Sequence, residues 1–154
     1  MYVQWLFAAL HLLGLGIGLA AVWSRAHALR HALRGDLDEE HLQRAFLADT
    51  FWGLAAGIWI VTGLIRAFTG LEKGPAYYLG NSMFLAKMGL LVLILILELW
   101  PMITLIRWRR ELGNGGQPDT GAAAAIARIS QVQVVLVVLM VFAATAMARG
   151  IGAS

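Results

Sequence analysis

Four windows of this sequence, 3–23, 45–68, 83–106 and 122–148, are apolar for longer than a buried soluble helix requires and hold very little charge. About 20 predominantly apolar residues in helical form cross a bilayer core, and backbone in hydrocarbon must satisfy its own hydrogen bonds. The windows therefore predict an all-α polytopic membrane protein, a four-transmembrane-helix bundle making one domain of residues 1–154. Composition agrees, since 60% of the 154 residues are apolar and only 14% are charged, against about 25% charged in an average soluble domain. The formal charge of +3 then bears on orientation in the membrane rather than on nucleic acid. No Lys or Arg precedes the first window, unlike the basic start of a secretory signal, so that window reads as a retained span.

Basic residues crowd two of the connections. Arg25, Arg30, Arg34 and Arg44 lie between the first two windows, and Arg107, Arg109, Arg110 and Arg128 flank the junction of the last two. Opposite them stand Arg66, Lys73 and Arg149, with Lys87 just inside the third window. The positive-inside rule places the two basic connections in the cytoplasm and both termini outside, in a bacterial cytoplasmic (inner) membrane. Residues 36–40, Asp-Leu-Asp-Glu-Glu, read as the acidic start of the second helix. Pro75 and the pair Tyr77-Tyr78 suit an interfacial loop, and Pro101 predicts a kink in the third span.

The chain has no cysteine, which excludes disulfides, Cys-ligated zinc and iron–sulfur clusters. P-loop, dinucleotide-fingerprint and zinc-protease motifs are absent too. Ionisable groups inside a span are costly and are functional candidates for that reason. His11 falls about ten residues into the first span, roughly 15 Å along a helix, too deep to reach water by extending its side chain. Gln4, Ala8, Gly14 and Gly18 share its face. The second span carries a stripe of Asp49, Trp52, Gly53, Ala56, Trp59, Gly63 and Arg66, in which Asp49 is expected to pair with Arg44 or Arg128. Lys87 and Glu98, eleven residues apart, share a face of the third span. On this topology His11, Arg66, Lys87 and Arg149 all fall in the outer half of the bundle.

A haem b suits that set. His11 would be an axial ligand, Arg66, Lys87 and Arg149 would meet the propionates, Gly14 and Gly18 would leave room for the macrocycle, and Met83, Met88 or Met147 could complete the iron. The plainer reading makes His11 a hydrogen-bonded core residue, partnered by a carbonyl or by Asp49 or Glu98. It likewise makes Gly14/Gly18 and Gly53/Gly57 close-packing pairs. Spacing alone leaves both open. His27 and His31, four apart, form either a metal or second haem site or a solvated basic face near anionic lipid. His41, in an acidic run, reads as a surface residue.

Certain segments carry a resemblance. Ala9 to Leu15 (A-L-H-L-L-G-L), Thr62 to Arg66 (T-G-L-I-R), Glu72 to Asn81 (E-K-G-P-A-Y-Y-L-G-N), Lys87 and the final A-R-G-I-G resemble an uncharacterised family of small four-helix bacterial membrane proteins, over nearly the full length. More distantly, Ala9 to Leu15 resembles the first helix of haem-containing membrane protoporphyrinogen oxidases and of CopD-like copper-resistance proteins. In those oxidases a His at that place is a haem ligand and a Lys early in a later helix is essential. The resemblance implies a haem-ligand role for His11 and a catalytic role for Lys87, in F-L-A-K-M-G-L-L. The chain departs from the oxidases in having Met83-Phe84-Leu85-Ala86 before that lysine.

Three functions compete. The first is a haem b protein, iron-containing and homo-oligomeric, that transfers electrons or oxidises a small lipophilic substrate such as a quinol or porphyrinogen. The second is a copper- or metal-handling protein using Met1, Met83, Met88, Met102, Met140 and Met147 as soft ligands. The third is a non-catalytic subunit or assembly factor of a respiratory complex.

Overall fold

A computed structural model of the chain describes residues 2–69 and 74–152, so Met1 and Lys73 lie outside the described residues. Five α-helices follow in chain order: α1 (Tyr2–Leu29), α2 (Glu39–Phe68), the short α3 (Pro75–Leu79), α4 (Ser82–Gly113) and α5 (Ala123–Ala148). The four long ones are each long and apolar enough to cross a membrane, and no strand occurs among the described residues. The protein is a four-span helical membrane protein.

The helices outrun the apolar windows at the end that carries the α1–α2 and α4–α5 connections, here the basic end. Helix α1 continues past Trp23 to Leu29, and α4 passes Ile106 to reach Gly113. A window of hydrophobicity stops at the first charges, but the backbone hydrogen-bond ladder does not. After α1, Arg30–Arg34 tightens into a 3₁₀ turn, and Gly35 at φ 75° ends it, a left-handed conformation that costs glycine no Cβ clash. Asp38 then caps α2, its carboxylate accepting from the His41 backbone N–H at 2.9 Å. Glu39 and Glu40 occupy the first turn, as the acidic run predicts. At the opposite, terminal end, Tyr77 and Tyr78 are helical rather than looped, within α3. Helix α4 runs through Pro101.

The surface and core are arranged as a bilayer requires. Leu54, Ile58, Val61, Ile96, Leu99, Ile103, Val135 and Phe142 are exposed, whereas Ala21, Ala26, Ala45, Ala55, Ala127 and Ser130 are buried. Lipid is as apolar as leucine, so membrane helices associate through small residues and polar contacts rather than by hiding large apolar ones. Helix α1 is the central element: it packs chiefly on α2 and then on α5, which packs on α4, while α2 and α4 meet only sparsely. A seam is left between α2 and α4. The basic end is closed by Leu29, Phe46, Leu105, Trp108 and Ile126, and the terminal end by a smaller group of Ala67, Tyr78 and Phe84.

Candidate functional site

His11 is buried because α2 makes room for it. A Cβ added at Gly63 would lie 3.0 Å from the imidazole Cε1, tighter than nearly all Cβ contacts, so the ring would have to shift. The ring is then fixed by the same turn of α2. The Trp59 indole N–H donates to Nε2 at 3.1 Å, so a neutral imidazole carries its hydrogen on Nδ1. Nδ1 lies 3.0 Å from the Trp59 carbonyl, to which it donates, and 3.1 Å from the Thr62 hydroxyl. His11 is partnered by a carbonyl, as the plainer sequence reading held, and not by Asp49 or Glu98.

Beside His11 a groove of about 410 Å³ opens toward the terminal end. Its floor is His11, Trp59 and Gly63; Arg66 and Lys87 supply cations; Tyr77, Tyr78 and Phe84 stand over it; and Met140 and Met147 line its α5 wall. A smaller recess of about 50 Å³ continues into the α2/α4 seam, past Leu64, Met88 and Leu91, and the seam's outer end is crossed by the edge-on pair Phe68–Phe84. The cover is tied down by hydrogen bonds. Tyr77 donates to the Met147 carbonyl, Asn81 caps α4 by accepting from the Met83 and Phe84 N–H groups, and the Ser82 N–H donates to the Gly152 carbonyl at 2.9 Å.

Several expected members stand elsewhere. A Cβ at Gly14 would meet the Trp59 backbone N at 3.2 Å, and one at Gly18 the Trp52 ring at 3.2 Å. The space those glycines leave is filled by α2, and neither lines the groove. Gly53 and Gly57, by contrast, face open space. Arg149 is the exposed C-cap of α5, just outside the groove, while Met83 packs toward Gly152. Of the six methionines, Met88, Met140 and Met147 line the groove and its recess.

The donor set suits a haem in kind: an imidazole whose Nδ1 is held by a carbonyl, as in most metal-binding histidines, apolar walls, two cations for carboxylates, and a volume within the usual 300–1,000 Å³ of ligand sites. One condition follows from the geometry. A metal at Nε2 must replace the Trp59 indole donor.

The groove, the seam and their cover lie on a chain matched, over residues 3–152, by the model of one family, described as a predicted membrane protein, DUF2214. The chain belongs to the DUF2214 family. No curated protein and no solved structure matches it.

In this DUF2214 protein a second polar feature was missed in the sequence reading. Arg25, read there as a topological anchor, is wholly buried and joins all four spans. Its guanidinium donates to Glu98 through both Nη atoms, at 2.6 and 2.7 Å, to Asp49 at 2.7 Å, to Gln133 at 2.8 Å and, through Nε, to Ser130 at 3.0 Å. Asp49 therefore pairs with Arg25, not with Arg44 or Arg128, because Arg44 sits on exposed Glu40. Glu98 and Lys87, both on α4, serve different places: Glu98 holds Arg25, and Lys87 lines the groove. A sequence signal did exist: Arg25, Asp49, Glu98 and Gln133 fall at matching depths in four antiparallel spans.

At the basic end of the DUF2214 fold, His41 is partly exposed. Its ring stacks on His31 with centroids 3.7 Å apart, and His31 meets His27 edge-on at 6.2 Å. Among the described residues, no group of three or more His, Cys, Asp or Glu side chains is arranged to hold a metal ion.

Proposed function

We propose that this protein binds a planar, lipophilic anion in the groove beside His11, with haem b the ligand its donors suit best, and that it serves electron transfer or oxidation of a small lipophilic substrate in a bacterial inner membrane. One observation carries the reading: a buried imidazole, fixed by α2, stands at the base of an apolar groove whose cations are Arg66 and Lys87. His11 would hold the metal of such a ligand, and Arg66 and Lys87 would balance carboxylates that otherwise lie uncompensated in hydrocarbon. Haem, once bound, supplies one-electron chemistry. The protein's part is to orient the ring through α2, exclude water with Phe84 and the two tyrosines, and hold the charge of the carboxylates.

The absorption spectrum of the purified protein from haem-replete cells tests this. A Soret band with reducible α and β bands, lost in His11→Ala, is the expected result; a colourless wild-type preparation overturns it. A second reading draws on the convergence of Met88, Met140 and Met147 near His11, since thioethers with an imidazole suit Cu(I). Copper retained by the colourless protein, and lost in His11→Ala, would favour that reading instead.

A further inference from the structure

A second cavity, about 690 Å³, lies away from His11, in the angle between α1 and α2 at the basic end. Its two ends differ in chemistry. Toward the middle of the bundle its walls are Ile17, Leu47 and Phe51; at the basic end they are His27, His31, His41 and Arg44. Ile17 to His27 is ten residues of helix, about 15 Å at 1.5 Å per residue, and the hydrocarbon of one leaflet is about 15 Å thick, half of the 30 Å core. The trough thus runs from headgroup depth to the bilayer's middle.

The polar end holds one guanidinium, Arg44, among three imidazoles. Asp36 holds the His31 ring at 3.1 Å, Asp38 holds His41 at 2.6 Å, and Glu40 holds Arg44 at 2.5 Å. None of those three carboxylates lines the cavity, and no acidic residue does. What an occupant meets there is three imidazoles and a guanidinium, above an apolar trough.

We propose that this cavity is a binding site for one anionic phospholipid of the adjacent leaflet. Its phosphate accepts from Arg44 and His27, and one acyl chain lies along Ile17, Leu47 and Phe51. The Arg44 guanidinium at the head and a trough one leaflet deep distinguish this occupant from a packed apolar helix, which has no anion to place against that cation. The site stands apart from the His11 groove and does not depend on what that groove binds.

The test is native mass spectrometry of the full chain, delipidated in mild detergent and re-equilibrated with mixed phosphatidylglycerol and phosphatidylcholine. One retained phosphatidylglycerol per chain is expected. In the His27→Ala/Arg44→Ala variant its apparent affinity falls at least tenfold. Leu47→Trp, which fills the trough and keeps every head group ligand, weakens retention by a similar factor, and matched inorganic phosphate does not displace the lipid. Equal retention of phosphatidylcholine, displacement by inorganic phosphate, indifference to both variants, or a second copy of the chain crosslinked through Phe51 in place of lipid would each overturn the proposal.

Discussion

Arg25 lies across Glu98 as a fork, Nη1 to Oε1 at 2.6 Å and Nη2 to Oε2 at 2.7 Å, with no solvent access to the guanidinium. The same Nη1 also reaches Asp49, and Gln133 bridges back to Glu98 at 2.8 Å. One side chain of α1 thereby engages every other span, and every nitrogen of the guanidinium has an acceptor. A buried pair in which one partner is removed leaves an uncompensated charge, a cost of about 3–5 kcal/mol. Arg25→Met is expected to lose stability of that order in detergent unfolding. The triple variant Arg25→Met/Asp49→Asn/Glu98→Gln, which has no stranded charge, is expected to recover much of it. Equal stability of the single variant and the wild type would show that the fork contributes nothing.

Arg25→Lys separates charge from geometry. Lysine keeps the cation but presents one nitrogen where the fork presents three, so it cannot serve Glu98, Asp49, Gln133 and Ser130 together. Its unfolding midpoint should fall between those of the wild type and Arg25→Met.

The two G-x-x-x-G pairs have opposite expectations although their wording is the same. Gly14→Ala brings a methyl to 3.2 Å of the Trp59 backbone nitrogen and 3.3 Å of the Ala55 carbonyl, neither of which is a flexible side-chain end. Overpacking of this kind costs about 1–3 kcal/mol. Gly57→Ala meets nothing within 4 Å, and in mid-helix it is expected to stabilise by about 0.5–1 kcal/mol. Paired unfolding curves in one detergent check both signs.

These contrasts show what the sequence carries and what it withholds. Span number and length follow from the free-energy cost of backbone and charge in hydrocarbon, which acts residue by residue and is visible in a linear window. Partner choice is a property of depth and rotation across four helices. Arg25 reads as an end-of-span anchor until α5 is seen to carry Ser130 and Gln133 to the same level. His11 was legible as a buried candidate, but its hold on Trp59 was not, since nothing local says which α2 turn faces it. The stacking of His41 on His31 depends on the Gly35 turn folding α2 back along α1.

Strong acid should loosen the first turn of α2 at the basic end. The His41 backbone N–H, followed by the His41 ring, holds the Asp38 carboxyl below its usual range. A value depressed in the folded state means that the cap contributes stability above the unfolded value, about 3.9, and loses it as pH falls through the folded one. Fraying of the first turn of α2 should therefore appear at the acid end of that range and not near neutrality. Asp38→Ala should flatten this acid limb. Amide hydrogen exchange at residues 39–42, followed against pH in both proteins, measures it.

Trp59 decides whether the His11 nitrogen is a structural acceptor or a ligand held in reserve. Trp59→Phe keeps an aromatic ring in the core and the main-chain carbonyl on Nδ1, but removes the indole donor that Nε2 accepts. A lost hydrogen bond of this type costs about 0.5–1.5 kcal/mol, a modest fall in the unfolding midpoint. If His11 binds iron through Nε2, the indole competes with the metal, and its removal should leave the Soret absorbance per protein unchanged or raised while His11→Ala abolishes it. Loss of the chromophore in Trp59→Phe as complete as in His11→Ala would make the indole a necessary part of the site and rule out competition at Nε2.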